Sequence, residues 1–433
     1  MKTKKKKIRT SLSSFQTFYS EYSSVIKESF IALLICALGD LFAGIILGNM
    51  TFFLQTFPGL LVIIPGAIGM RGNIFGSFAS RISTNLHIGL ISPKFEFSEH
   101  LNNNIISSFV LTLILSLFLA IAAKLFCILL HFESMSLMDF ILISIIAGII
   151  SNLIMLPITM IVSFKSFNHG WDPDNITTPI IAAAGDLLTL PAIIASVYIL
   201  TFLNFNLLVK DIIFIIIIVL IIFAFIYAIK MSSESKDIIT QSTPVLLLCS
   251  LLGVSAGAIL NNSLETLLTN HSLLTLLPLF SGMCGSLVSI LSSRLSSGIH
   301  YGLIEPLKRP KGETIPNFLV CYILAVVMFP LIGFISEDST ILLGLTGVGF
   351  INIILISLIS GFILISIMIF VVYYISITSY NHNLDPDNIV IPISASFTDA
   401  ISSLIIISVS LLILGALIYL QAFILNSQVC VVK

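Results

Sequence analysis

The sequence predicts an all-α polytopic membrane protein of about eleven transmembrane helices, built as two parallel five-helix repeats joined by one linker helix. Three observations carry that prediction. The 433 residues are 57% hydrophobic and 9% charged, with a mean hydropathy of +1.11, where a soluble domain carries about 25% charged residues. A long series of residues returns 213 positions later in constant register. One apolar span stands between the two copies with no counterpart in either.

Composition excludes a water-soluble domain, because too few polar residues are present to cover its surface. Runs such as Asp211–Lys230, apolar between charged ends, are long enough to cross a hydrocarbon core. The N-terminal MKTKKKKIRT is followed by the polar stretch 11–24 rather than an apolar segment. It therefore reads as a cytosolic tail meeting anionic lipid and not as a cleaved signal peptide. The six cysteines form no CxxC pair and sit mostly in apolar segments, so they are expected to be small buried hydrophobes. A net charge of −1 gives no basis for a nucleic-acid partner.

The echo is specific. His169, Asp172-Pro173-Asp174-Asn175-Ile176, Pro179, Ile180, Ala182 and Asp186 return as His382, Asp385-Pro386-Asp387-Asn388-Ile389, Pro392, Ile393, Ala395 and Asp399. Pro65, Gly69, Met70, Gly72, Ser80, Arg81, Ser83, His87, Gly89 and Pro93 return as Pro278, Gly282, Met283, Gly285, Ser293, Arg294, Ser296, His300, Gly302 and Pro306. Cys36 and Gly44 match Cys249 and Gly257.

Hydropathy with breaks at polar and Gly/Pro clusters places spans at about 26–48, 57–80, 104–130, 138–163 and 175–203, then about 242–261, 272–293, 316–335, 341–377 and 388–424. The unpaired span lies at about 211–229. The chain divides into a basic tail (1–25), a first repeat (26–204), a linker segment (205–238) and a second repeat (239–433). Five spans is an odd number, so two fused copies would oppose each other. One additional crossing restores the second copy to the orientation of the first. With the tail inside, sixteen Lys and Arg fall on the cytosolic side and three, Lys124, Lys210 and Lys433, outside. That asymmetry obeys the positive-inside rule. Inverted repeats would place the Arg294–Lys311 cluster outside and are rejected. The expected location is a plasma membrane, with a cytoplasmic N-terminus and an extracellular C-terminus.

Only Asp40, Asp186 and Asp399 fall well within spans. An ionisable side chain there costs about 3 kcal/mol or more, which marks it as a functional candidate. Asp186 and Asp399 are equivalent in the two copies, and across a pseudo-two-fold axis both would face one central pore. Two such carboxylates suit a divalent cation. Asp40 aligns with Gly253 and is a candidate secondary ion site in one half, with a structural or capping role as the alternative. In the DPDN motifs Pro fixes φ and Asp or Asn caps the following helix. Asp174, Asn175, Asp387 and Asn388 are equally candidates for a cation-attracting inner mouth. Pro179 and Pro392 free carbonyls or bend the fifth spans, so carbonyls around Ala182 and Ala395 are candidate neutral oxygen ligands. The segments PGAIGMRGN and PLFSGMCGS end at Asn73 and Ser286, further pore-mouth candidates. Their glycines permit either close helix approach or a locally unwound pathway. Arg81 and Arg294, with His87 and His300, are expected at the inner interface, touching headgroups or pairing with acids.

On these residues the chain resembles the MgtE-type divalent cation (magnesium) transporter family. The Pro/Gly-rich second span followed by ASR-I-S, and DPDN…P-I-x-A…D opening the fifth, carry the likeness over nearly the whole chain beyond the tail. The form is similar to the tandem version of the solute-carrier magnesium transporters. The resemblance implies a five-helix domain that ordinarily dimerises, here supplied twice by one polypeptide as an internal pseudo-dimer. It implies that Asp186 and Asp399 bind hydrated Mg2+, which keeps most of its waters. Thr178 matches a polar position of the family, where the second copy has Ile391. Nothing in the chain corresponds to the cytosolic sensor domains of bacterial members. Mn2+ and other divalent cations, and Na+ or H+ as coupling ions in an exchanger rather than a channel, remain open alternatives. An intramembrane aspartyl protease is the competing class, prompted by Ala184-Gly185-Asp186. It is disfavoured, since a protease dyad must share a proton at close range and needs no duplication of its surroundings. No enzymatic activity is expected.

Overall fold

A computed structural model describes residues 2–87, 89–94, 98–169, 173–203, 207–300, 302–382 and 386–431. It is all-α, with no strand among the described residues. The thirteen helices are α1 (Lys2–Asn49), α2 (Thr51–Thr56), α3 (Leu60–His87), α4 (Glu99–Leu129), α5 (Leu137–Asn168), α6 (Pro173–Leu203), α7 (Leu207–Met231), α8 (Ser233–Asn262), α9 (Leu264–Thr269), α10 (His271–His300), α11 (Thr314–Leu342), α12 (Phe350–Asn381) and α13 (Pro386–Val431). Eleven of them, all but α2 and α9, are long and apolar enough to cross a membrane. The protein is a multi-pass membrane protein with the expected number of spans.

The 213-residue offset extends to the helix ends. α1 and α8 end at Asn49 and Asn262, α3 and α10 at His87 and His300, and α5 and α12 occupy equivalent ranges. Even the left-handed residue after the third span recurs, as His131 (φ 55°) and Gly344 (φ 71°). Each first span ends in a six-residue helix, α2 or α9, that the hydropathy reading did not separate. Several spans also begin earlier than their apolar runs, because side-chain caps hold the first turn. Ser98 Oγ accepts from Leu101 N at 3.2 Å, Ser136 Oγ from Asp139 N at 3.1 Å and Ser232 Oγ from Ser235 N at 3.0 Å.

Packing is reciprocal between the copies. α1 lies against α10, and α3 lies against α8. The fifth spans pack mainly within their own copies, α6 on α1 and α3, α13 on α8 and α10, with lighter contacts of α6 to α10 and of α13 to α3 across them. Both crossings are made by glycine. A Cβ at Gly44 would collide with the carbonyl oxygen of Thr275, and one at Gly257 with that of Val62, its equivalent. Small residues allow backbones this near where lipid supplies no hydrophobic drive to associate. α3 and α10 run unbroken through Pro65 and Pro278, so of the two sequence readings of the glycine-rich segments the structure shows close approach. α7 packs on α4 and α8 and is otherwise exposed, with Lys210 Nζ donating to Asp139 of α5 at 2.5 Å.

Gly257→Leu should therefore force α3 and α8 apart, at a cost on the order of 2 kcal/mol. Thermal unfolding in detergent checks this, with Gly415→Leu, which meets open space, as the control expected to leave the midpoint unchanged.

Candidate cation site

The glycines of α3 that do not make crossings share one face at helical spacing. Gly72 and Gly76 of α3 and Gly285 of α10 point their hydrogens into open space, with nothing within 4 Å of a would-be Cβ. Around this opening stand α6 and α13. Gly185 lets α6 approach α3, its Cβ position 3.6 Å from Gly72 N, and the next residue is Asp186. On α13 the equivalent acid, Asp399, accepts from Ser281 Oγ at 2.5 Å through Oδ1. Its Oδ2 lies 3.1 Å from the Cβ position of Gly69. Ser402 and Ser403 donate to the Asp399 carbonyl at 2.9 and 3.0 Å, which holds this turn of α13.

The three intramembrane acids come together. Asp40 on α1 lies within hydrogen-bonding reach of Asp186, and Asp399 lies within electrostatic range of both. Asp186 and Asp399 are half-buried; Asp40 is buried. Asn73 Nδ2 donates to Ser396 Oγ at 3.0 Å, joining α3 to α13. Ser286 contacts Cys36 on α1, and Cys249 on α8 contacts Ser396. Cys36, Cys127, Cys249, Cys284 and Cys321 are all buried. Among the described residues no group of three or more His, Cys, Asp or Glu is close enough to grip a metal ion directly. Open space is left at Gly72, Gly76 and Gly285, and an ion that keeps its water needs such room.

Of the other residues singled out in the sequence, Ala395 lies in α13 one turn before Asp399. Thr178 and Ala182 lie in α6, Asp174 and Asn175 at its start, Asp387 and Asn388 at the start of α13. The side chains of these six are outside the described residues, as are those of His87 and His300 and all of Asp172 and Asp385. Ser281 was not anticipated. Its equivalent is Ile68, so the signal was a break in the echo rather than a match.

Among the described residues the two arginines of the echo bind asparagines rather than acids directly. Arg81 Nε donates to Asn104 Oδ1 at 2.7 Å, and Arg294 Nε to Asn317 Oδ1 at 2.5 Å, in equivalent pairs. An acid stands one step further on. Asn103 and Asn104 donate to Glu234 at 2.8 and 3.4 Å, and His100 Nδ1 meets it at 2.9 Å. In the second copy Tyr22 OH donates to Glu313, and Arg294 lies over the Tyr22 ring at 5.9 Å. Each set ties the third span of one copy to the first span of the other. Asn104→Leu or Asn317→Leu should leave a guanidinium without its acceptor and lower stability by about 2 kcal/mol. An unchanged thermal midpoint for both would show that the asparagines carry no load.

The MgtE family, described as divalent cation transporter, matches residues 64–196 and again 277–409, so both ends of the match repeat at the same offset as the helices. Solute carrier family 41 member 3 of Rattus norvegicus is 27% identical over 168 residues, 37% of this chain and 36% of that protein. The protein of that name in Mus musculus is 24% identical over 310 residues, 67% and 61%. Solute carrier family 41 member 2 of Gallus gallus is 25% identical over 300 residues, 65% and 50%. The chain thus spans between about a third and six-tenths of the length of these relatives. No solved structure matches it significantly. The two matched stretches together cover more than half of the sequence, and the chain belongs to the MgtE divalent cation transporter family.

Proposed function

We propose that this chain moves divalent cations, Mg2+ foremost, across the plasma membrane along the path between its two parallel copies, with Asp186 and Asp399 holding the hydrated ion. The observation that supports this reading is that two equivalent carboxylates lie within electrostatic range of each other, near Gly72, Gly76 and Gly285, which leave open space. A charge inside a membrane protein costs about 3 kcal/mol or more, and a passing divalent cation offsets both charges at once. Because Mg2+ surrenders its waters reluctantly, outer-sphere contact through carboxylates fits it better than a tight ligand cage. Carbonyl oxygens near Ala182 and Ala395 add neutral acceptors one turn before each acid, and Thr178 adds a hydroxyl in the first copy only. Asn73 and Ser286 line the same face. The DPDN acids at the N-termini of α6 and α13, Asp174 and Asp387 with Asn175 and Asn388, attract cations to the inner mouth. Mn2+ competes as a second substrate, Na+ is the candidate coupling ion, and no catalysis is assigned. The basic N-terminus supports an inside start by the positive-inside rule, and eleven crossings would then leave the C-terminus outside.

Asp186→Asn or Asp399→Asn should lower Mg2+ uptake by more than about tenfold in a Mg2+-auxotrophic host while the protein still reaches the membrane. Uptake at the wild-type rate from either variant contradicts the assignment. Flux into liposomes with and without an imposed Na+ or pH gradient separates an exchanger, whose flux follows the gradient, from a channel, whose flux does not.

A further inference from the structure

Asp40 is the acid that the duplication does not supply. Its equivalent is Gly253, which seats directly on the backbone of Gly66 where α8 crosses α3, so no side chain fits there. Where α1 crosses α10 the contact is different. Gly282 faces the Asp40 carboxyl, and a Cβ on it would overlap all three carboxyl atoms. The missing side chain of Gly282 is what gives the acid its place. The carboxyl is 1% exposed, and its Oδ2 has no hydrogen-bond donor among the described residues. No described basic side chain forms an ion pair with it. A carboxylate oxygen buried without a donor is destabilising unless something else completes it. It lies within hydrogen-bonding reach of Asp186 and within electrostatic range of Asp399. A monovalent coupling ion is a poor fit, because such sites draw on unwound helix carbonyls and α1 is continuous and free of proline.

We propose that Asp40 is a third carboxylate of the cation site, contributed by the first copy alone, whose charge beside Asp186 strengthens the hold on the ion at Asp186 and Asp399. The inference rests on the reading of those two acids as the site. Three carboxylates facing a doubly charged ion leave an excess of negative charge, so Asp40 raises affinity for divalent over monovalent cations. It also makes the site lopsided. The Asp186 side carries a second acid, whereas Asp399 carries a neutral donor, Ser281.

The test uses the full chain purified in detergent, with thermal unfolding followed during titration with MgCl2 against NaCl at matched ionic strength. Asp40→Asn should melt higher than wild type in the absence of divalent cation, because an uncompensated buried charge is gone. The Mg2+ concentration giving half-maximal stabilisation should rise about tenfold, the equivalent of one charge-assisted contact. A lower cation-free midpoint with unchanged Mg2+ dependence makes Asp40 a structural acid and overturns the proposal. Gly282→Ala keeps the charge but displaces the carboxyl, and should weaken Mg2+ in the same direction. If Asp40→Asn yields no folded protein, that titration decides, with wild-type affinity counting against the proposal. Asp186→Asn and Asp399→Asn run alongside. If they lose Mg2+ stabilisation while Asp40→Asn keeps wild-type affinity, the third ligand falls and the central site stands. If neither affects it, the central site falls too.

Discussion

Everything in this fold answers to the presence of negative charge in the interior of an apolar bundle. A carboxylate there has three escapes: a partner base, a hydrogen-bond donor or a cation from outside. Asp399 has one donor, Ser281, and Asp40 has an oxygen with none. Lys124 and Lys210 are engaged elsewhere, Lys124 with Ser134 and Met135 and Lys210 with Asp139. In the proposed reading the acids are left to an ion that comes and goes.

That shape is achieved with glycine. Gly44 and Gly257 bring the first span of each copy onto the second span of the other, against Thr275 and Val62. The exchange of partners means that neither copy can enclose the acids alone. α6 is held by α1 and α3 and α13 by α8 and α10, each within its own copy, and the lighter contacts of α6 with α10 and of α13 with α3 bring the other copy alongside. The bonds of Asn103 and Asn104 to Glu234 and of Tyr22 to Glu313 secure the same exchange. Glycine therefore performs two tasks along one helix. At crossings it removes bulk so that backbones touch, and at Gly72, Gly76 and Gly285 it leaves open space for water and ion.

Much of this was legible in the sequence, and the reasons for the remainder are physical. Span number and duplication could be read because hydropathy and register are one-dimensional signals. Asp186 and Asp399 could be paired because their surroundings repeat with them. Helix starts could not be read from hydropathy, since Asn103 and Asn104 look like loop residues but are buried and bonded to Glu234. Nor could α2 and α9, too short to carry a periodic pattern. Ser281 was invisible because serine is common in such helices and its role depends on a neighbour 118 residues away. The space that admits Asp40 belongs to Gly282, on a helix from the other copy, so only the tertiary crossing reveals it. In each case the echo pointed to what the halves share, and its failures pointed to where they differ.

The central claim is that a divalent cation rests between Asp186 and Asp399. Crystals grown with Mn2+ in place of Mg2+ and measured at a wavelength where manganese scatters anomalously test it directly. The account predicts an anomalous peak between the two carboxylates, offset toward Asp40, at a distance that leaves room for water. A peak confined to the DPDN segments at the inner ends of α6 and α13, with none between the aspartates, would contradict it.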